Sequence, residues 1–196
     1  MQNDFTVNFD APTFAKMYDE HLKDIDVSVL VNNVGMAEAK GLPLSQNTAE
    51  DVHKMMSCNM YANVLLTREV IQGFKKRFEE HGKRSCITFT SAMASLAPVP
   101  GVAVYSASKI FTDFLTWGLI YELSKYQVDV SAWRAAGVST NIIDNEEPGI
   151  MVSTADNYVK RAFAKCTSGV HSGYLPHEII HLVWTNLNDI LPISFC

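Results

Sequence analysis

Residues 101–114, GVAVYSASKIFTDF, decide the fold class, because they place a tyrosine and a lysine four residues apart near the start of a long helical segment. Apolar residues recur at helical spacing beyond them, which predicts one helix from Tyr105 to Lys125. Tyr105 and Lys109 then share one face of that helix. An ammonium beside a phenol lowers the phenol's pKa, and such a phenol can exchange a proton with a carbonyl or alcohol oxygen.

Short apolar runs alternate with helical segments on both sides of this motif. Strands are predicted at Val27–Val31, Ser85–Thr90 and Val128–Trp133, a loop at Pro98–Gly101, and further helices at Phe14–Leu22, Thr48–Glu80, Thr154–Lys165 and Pro176–Trp184. This alternation predicts an α/β fold with a doubly wound parallel sheet. Ligands of such sheets bind at the rim formed by the carboxyl ends of the strands.

Three segments at the predicted rim are rich in small and polar residues, namely Asn32–Gly35, Thr90–Ala94 and Gly137–Asn141. The motifs occur in the order found in the short-chain dehydrogenases/reductases, and they resemble that family. LVNNVG (residues 30–35) is similar to the family's NNAG motif, and YSASK is similar to its YxASK motif. The resemblance extends over residues 4–192. Within it, NNVGM and GYLPH resemble one branch of the family, the very-long-chain 3-oxoacyl-CoA reductases and 17β-hydroxysteroid dehydrogenases.

The resemblance implies roles for individual residues. Tyr105 would be the catalytic acid/base, Lys109 would hold the nicotinamide ribose and lower the tyrosine's pKa, and Asn59 would support a chain of waters. The cofactor would be NADP(H) or NAD(H), and the substrate an acyl-CoA or a steroid. The residues that the resemblance places around the cofactor are Asp4, Asn33, Gly35, Tyr105, Lys109 and Thr140.

The sequence departs from the family pattern at the catalytic serine. The family places that serine 13 residues before the tyrosine, and this position is Ala92. Ser91 lies one residue earlier and is the candidate to replace it. Because successive residues of a strand point to opposite faces, Ser91 would serve only if the strand end were shifted by one residue.

A second departure lies after the third predicted strand. The family has Pro-Gly before the nicotinamide threonine, whereas this chain has Ala135-Ala136, followed by Gly137. Alanine does not take a positive φ without strain, so we expect a reshaped cofactor wall.

The third departure concerns the beginning of the family pattern, a strand and a glycine-rich turn that holds the pyrophosphate. No GxxxGxG occurs in these 196 residues. We therefore expect one incomplete, N-terminally truncated Rossmann-like domain over residues 1–196. The absent strand would pair with Val27–Val31, so we expect an open sheet edge there and a protein partner that covers it.

Composition excludes other classes of protein. A net charge of −5 argues against a nucleic-acid partner, and no apolar run reaches the length of about 18 residues expected of a transmembrane helix. The four cysteines form no CxxC, which indicates reduced thiols in an intracellular protein; the mitochondrion, the endoplasmic reticulum and other organellar assemblies are not distinguished. They are Cys58, Cys86, Cys166 and Cys196.

Residues 177–181, HEIIH, match the HExxH pattern of zinc proteases. No third ligand is evident and the surrounding chain resembles a reductase, so we expect an amphipathic helix and no metal site.

Two hypotheses remain open. The chain is either a degenerate reductase, a pseudoenzyme that acts as a structural or accessory subunit of a larger assembly, or an active NADP(H)-dependent 3-oxoacyl-CoA or 17β-hydroxysteroid reductase. In the second case its N-terminal part is missing from this sequence or supplied by another chain. The three departures favour the first hypothesis, which needs no cofactor. Retention of Tyr105, Lys109 and Asn59 favours the second.

Overall fold

The computed structural model describes residues 4–6, 10–37, 41–97, 99–143, 146–149 and 151–190. The helices are α1 (Ala11–His21), α2 (Ala49–Met56), α3 (Ala62–His81), α4 (Ala103–Leu123), α5 (Ala155–Ala164) and α6 (Leu175–Ile190), with a π-helical turn at Ser57–Tyr61 between α2 and α3. The strands are β1 (Val29–Asn32), β2 (Ser85–Ala92), β3 (Val128–Ala135), β4 (Gly137–Ser139), β5 (Val152–Thr154) and β6 (Gly169–His171).

Four strands form a parallel sheet in the order β1-β2-β3-β6, and β4 and β5 form a separate parallel pair. The register places Val31 of β1 beside Thr88 of β2, and Thr90 of β2 beside Trp133 of β3. The predicted doubly wound parallel sheet is therefore confirmed. Strands β4, β5 and β6 were not predicted, because three residues are too few to show a strand period.

Side-chain caps fix where several helices begin. The Asp10 carboxylate accepts the backbone N–H of Thr13 at the start of α1. The Thr48 hydroxyl accepts the N–H of Asp51 at the start of α2, and Thr154 does the same at the start of α5. Each cap satisfies a backbone donor that the first turn of a helix leaves unpaired.

The two faces of the sheet are covered by different helices. Phe89 and Val130 point to one face, where they pack in a buried core with Phe74 of α3 and Leu119 of α4. Trp133 points to the opposite face, where it packs with Tyr158 and Ala162 of α5. Because successive side chains of β3 point to opposite faces of the sheet, this strand packs against both layers of helices, as expected for this fold.

Strand β1 lies at one edge of the sheet, and within the described ranges only β2 pairs with it. Leu30 is buried, but Val29 is 50% exposed and Val31 is 45% exposed. The β-branched run Val27–Val31 is typical of a buried parallel strand, and this expectation is wrong for the face that carries Val29 and Val31, because α5 packs beside β3 and leaves this face of β1 open. The strand also begins two residues later than predicted, at Val29.

None of the helices in the described part of the chain combines the length and the apolarity that crossing a bilayer requires. Of the predicted loop at Pro98–Gly101, Pro98 lies outside the described residues.

Candidate active site

Lys109 is the centre of the candidate site. Its side chain projects from α4 towards the end of β2, where it is 4% exposed and its Nζ donates a hydrogen bond of 2.8 Å to the carbonyl oxygen of Thr90. The same Nζ lies 5.5 Å from the centroid of the Tyr105 ring, one helical turn earlier. Desolvation lowers the pKa of Lys109 to about 8.

Gly35 brings the loop after β1 against this ammonium. A Cβ atom at position 35 would lie 3.3 Å from the Nζ of Lys109 and 3.4 Å from the Oδ1 of Asn59. The first distance is tighter than an ordinary contact, so any larger residue would have to displace the lysine. The motif NNVG therefore ends in glycine because the loop passes close to Lys109 and Asn59.

Asn59 joins this loop to α4. Its amide exchanges two hydrogen bonds of 2.9 Å with the backbone of Met36, one through each polar atom. Its Nδ2 also donates to the hydroxyl of Ser108 at 3.0 Å, and this hydroxyl donates to the carbonyl oxygen of Tyr105 at 2.7 Å. Ser108 is the link between Asn59 and Tyr105, and the sequence analysis did not assign it a role.

The π-helical turn Ser57–Tyr61 sets the direction of Asn59. A π turn adds one residue to a helical turn, and such turns are frequent at functional sites. The backbone carbonyl oxygen of Asn59 is not left unpaired, because it accepts a hydrogen bond of 2.7 Å from the Nδ2 of Asn63. Asn59 is 1% exposed, so its contacts are fixed by the surrounding core.

Asn33 lies at the exposed end of β1. Its Oδ1 accepts a hydrogen bond of 2.8 Å from the hydroxyl of Thr90, so it joins the ends of β1 and β2. The preceding Asn32 is the buried member of this Asn-Asn pair, and its Nδ2 donates to the hydroxyl of Thr67 at 3.0 Å. Of the two asparagines, Asn33 is therefore the one at the rim.

Asp4 shares a cleft with Gly35. The cleft has a volume of about 610 Å³ and is lined by Asp4, Phe5, Thr6, Val34, Gly35, Met36 and Cys58. Hydrogen bonds from the hydroxyl and backbone N–H of Thr6 lower the pKa of the Asp4 carboxyl, so it is a carboxylate at neutral pH. The structure thus brings two of the predicted cofactor residues to one cleft.

Ser91 faces away from the rim. It is 1% exposed, and its hydroxyl lies 3.3 Å from the backbone carbonyl oxygen of Lys109, to which it donates. It points to the same face of the sheet as Phe89, as strand alternation requires. In this arrangement Ser91 joins β2 to α4, and its hydroxyl is not directed at a substrate oxygen beside Tyr105.

A histidine from α6 holds the turn at Ala135-Ala136, the two residues that stand at the family's Pro-Gly positions. The Nδ1 of His177 accepts a hydrogen bond of 3.2 Å from the backbone N–H of Ala136, and the ring is 0% exposed between Tyr158 and Tyr174. Burial lowers the pKa of His177, which keeps the ring neutral and able to accept. Sequence reasoning missed this contact.

Gly137 completes the same turn. A Cβ atom at this position would lie 2.8 Å from Cγ2 of Val152 and 3.1 Å from the carbonyl oxygen of Met151, so only glycine fits beside β5. Thr140 follows the end of β4 and is half-buried. The role predicted for Thr140 beside the cofactor stays a prediction.

The HEIIH segment lies at the start of α6. His177 is committed to Ala136, and the carboxylate of Glu178 accepts the backbone N–H of Ser172 at 2.8 Å. Among the residues that the structure describes, no group of three or more His, Cys, Asp or Glu side chains is placed to hold a metal ion.

An ion pair that the sequence analysis did not anticipate lies one helical turn beyond Lys109. The Nε of Arg134, near the end of β3, lies 2.9 Å from Oδ2 of Asp113 on α4, and the Asp113 side chain is 3% exposed. This carboxylate raises the pKa of Lys109, opposing the larger effect of desolvation. The pair therefore joins the wall at the end of β3 to the helix that carries the lysine.

Comparison with known proteins agrees with this geometry. A family model described as short chain dehydrogenase matches residues 1–150. The chain belongs to the short chain dehydrogenase family. The most similar solved structures include a short chain dehydrogenase of Burkholderia cenocepacia J2315 in complex with NADP, at a TM-score of 0.75 and 20% identity, covering 100% of this chain and 78% of that one. At this identity the likeness shows the fold alone.

Two curated relatives represent the branch that the motifs resemble. The 17-beta-hydroxysteroid dehydrogenase type 3 of Mus musculus is 29% identical over 168 residues, which are 84% of this chain and 52% of that protein. The very-long-chain 3-oxoacyl-CoA reductase of Rattus norvegicus is 29% identical over 179 residues, 87% of this chain and 53% of that protein. The chain thus spans about half the length of the curated relatives it matches.

The described residues fit part of a nicotinamide dinucleotide. The close approach of Gly35 to Lys109, and the cleft with Asp4, provide an ammonium and a carboxylate of the kind that bind ribose and base. The sequence contains no GxxxGxG turn to hold the pyrophosphate. The described residues therefore fit the two sugar-and-base ends of the cofactor. Hydrogen-bond donors other than these residues would have to hold its phosphates.

Proposed function

We propose that this chain carries the proton-transfer part of a nicotinamide-dependent oxidoreductase site. The observation that supports it is the cluster at Lys109, in which Gly35, Asn59 and the Tyr105 ring all lie around one buried ammonium. Among the residues that the structure describes, no carboxylate lies within hydrogen-bonding distance of this ammonium. A buried ammonium is costly, so its retention favours a chemical role.

In this proposal NADP(H) or NAD(H) supplies the hydride. Tyr105 gives a proton to, or takes one from, the substrate oxygen, and Lys109 favours the phenolate by its charge. Asn59 and Ser108 hold the start of α4 against the loop after β1, which fixes Tyr105 relative to Gly35. The names of the relatives suggest a 3-oxoacyl-CoA or a 17β-hydroxysteroid as substrate.

The proposal includes a protein partner at β1. Val29 and Val31 expose apolar side chains at a strand whose outer edge has no partner among the described residues. An exposed apolar edge strand is a template for pairing with another polypeptide. We propose that such a polypeptide covers this edge, completes the Rossmann-like domain of residues 1–196 and supplies the donors for the pyrophosphate.

A second candidate function is that of an accessory subunit without catalysis. It is favoured by Ala92 at the serine position, together with the bond between the Ser91 hydroxyl and the carbonyl of Lys109. Losing one group that stabilises a developing oxyanion typically costs about 10²–10³ in rate. In this case the Tyr105–Lys109 pair would be a remnant of ancestry.

Binding of NADPH to the purified chain, together with any protein that co-purifies, distinguishes the two candidates. We expect a Kd in the micromolar range by calorimetry, and turnover of a 3-oxoacyl-CoA or a 17-ketosteroid. Tyr105→Phe should keep the Kd and lower kcat by about 10²–10⁴, the usual share of acid–base catalysis. Absence of NADPH binding in the complex that covers β1 would reject the oxidoreductase proposal and leave the accessory subunit.

A further inference from the structure

Cys86 and Cys166 face each other on the side of the sheet that carries α5. Their Sγ atoms are 3.7 Å apart, although 80 residues separate them in the chain. Both side chains are half-buried, whereas Cys58, the third cysteine that the structure describes, is buried near Lys109. The pair lies outside the candidate active site.

Two elements of the fold bring the sulfur atoms together. Cys86 is the second residue of β2 and points to the α5 face, opposite to Ile87. Cys166 follows the end of α5, where its backbone N–H is hydrogen-bonded to the carbonyl oxygen of Phe163. The Cys166 sulfur also lies 3.7 Å from the hydroxyl of Ser131 on the neighbouring strand β3. The position of Cys166 is therefore fixed by both the helix end and the sheet.

We propose that Cys86 and Cys166 form a dithiol site that a peroxide oxidises to an intramolecular disulfide. A disulfide has an S–S distance of about 2.05 Å, so oxidation would have to close a gap of about 1.7 Å between the two sulfur atoms. The sulfur atoms already approach each other across the space between β2 and the α5–β6 connection.

The oxidation divides into two balanced steps. The peroxide first oxidises one thiol to a sulfenic acid and leaves as water or an alcohol. The second thiol then condenses with the sulfenic acid, forming the S–S bond and releasing one water, and the two thiol protons end in these products. Either thiol can take the first step, and the other thiol then takes the second, because the two sulfur atoms lie 3.7 Å apart.

The disulfide would join the middle of the sheet to the far end of α5. Position 86 is paired in the sheet with Val29 of the exposed strand β1, so the cross-link would lie beside the face that α5 leaves open. Oxidation would therefore hold α5 on the sheet without covering β1. Because this inference does not use Tyr105 or a cofactor, it stands independently of the proposed function.

The test is peroxide treatment of the wild-type chain, followed by alkylation and peptide mapping. We expect a mass lower by about 2 Da, a peptide containing Cys86 linked to Cys166, and reversal by dithiothreitol. Closing a loop of this length should raise the Tm by about 5–10 °C. Neither Cys86→Ser nor Cys166→Ser should show the cross-link or the rise, whereas the matched control Cys58→Ser should show both.

Two results would overturn the proposal. One is a disulfide that links Cys58 or two copies of the chain while Cys86 stays alkylatable. The other is accumulation of Cys166 sulfinic acid with Cys86 still reduced, which would show that the thiols do not meet in solution. Trapping with phenylarsine oxide provides a second measurement, since one arsenic atom bridges both thiols of the reduced protein with release of one water, and Cys166→Ser should lose this adduct.

Discussion

The two sides of the candidate site are built differently. On one side, Asn59 and Gly35 lie around the buried ammonium of Lys109. On the other side, the wall at the end of β3 has no Pro-Gly, and the N–H of Ala136 donates a hydrogen bond to His177 from α6. Both sides join distant parts of the chain, but the first is built from side chains that carry charge and polar groups, and the second from a backbone turn held by one side chain.

This difference shows which positions of the site tolerate a change of residue. In the proposed reaction, the side chains of Tyr105 and Lys109 would supply an acid and a charge that no neighbour can replace. The wall supplies only a backbone shape, and a buried histidine beside a glycine can maintain such a shape with other residues. Chemistry therefore constrains the first side, and packing constrains the second.

Replacing Lys109 with methionine should give the largest effect on stability. Desolvation lowers the pKa of Lys109 in the folded protein to about 8, below its ordinary value of 10.5, so the charged side chain is disfavoured by folding. At pH 7 the variant should be more stable than the wild type by about 2 kcal/mol, after allowing for the unpaired carbonyl of Thr90. Urea unfolding measures this, and NADPH affinity should fall at the same time.

The pH dependence of that difference has a definite sign. Between the folded pKa of about 8 and the ordinary lysine pKa of 10.5, the unfolded chain binds more protons at Lys109 than the folded one, so wild-type stability rises with pH. The difference in the free energy of unfolding between Lys109→Met and the wild type should therefore disappear as the pH rises through this range. A gap that stays constant to pH 11 would contradict the assignment of a buried, charged Lys109.

His177→Phe should have the next largest effect. The phenyl ring fits between Tyr158 and Tyr174, but it leaves the N–H of Ala136 without an acceptor, which should cost about 1–2 kcal/mol. His177→Gln is the matched control, because its amide oxygen can accept the same hydrogen bond. If both variants lose the same stability, the bond to Ala136 is not what His177 contributes.

The stability of the protein at low pH should also depend on the contact between His177 and Ala136. Burial lowers the pKa of His177, so below about pH 6.5 the unfolded chain gains a proton before the folded one and stability falls as the pH falls. His171 and His181, whose pKa values burial also lowers, share this fall. His177→Phe should therefore flatten the acid limb of a stability–pH curve without abolishing it.

Ser91→Ala should have the smallest effect. It removes one hydrogen bond between β2 and α4, worth about 1 kcal/mol, and should leave NADPH binding unchanged. Its counterpart, Ala92→Ser, places a hydroxyl on the opposite face of the strand. If this chain is a weakened oxidoreductase, Ala92→Ser should raise kcat, and a drop in kcat for Ser91→Ala would show that Ser91 serves in catalysis after all.

The sequence was sufficient for the parts of the fold that repeat or carry a motif. The apolar spacing after Tyr105 predicted α4. The motif NNVG did not predict the close approach of Gly35 to Lys109, which only the structure shows. The role of His177 was hidden, because GYLPH and HEIIH both contain this residue but neither pattern indicates a contact with Ala136. Strand alternation already suggested that Ser91 and Ala92 point to opposite faces, but only the structure shows the acceptor of Ser91, the carbonyl of Lys109.

The exposure of β1 was only half predicted. An open edge was expected from the resemblance, but the open face was not, because the sequence gives no measure of how far α5 extends across the sheet. Val29 and Val31 are exposed for that reason, while Leu30 between them is buried under the other layer.

The π-helical turn at Ser57–Tyr61 has a consequence at the level of the gene. A π turn differs from an α-helical turn by one amino acid, so loss of a single codon between α2 and α3 would turn this segment into a straight α-helix. The downstream core, with Phe74, could keep its register while Asn59 rotated by about 100° around the helix axis. One in-frame deletion would thus separate Asn59 from Ser108 and leave a chain that still folds.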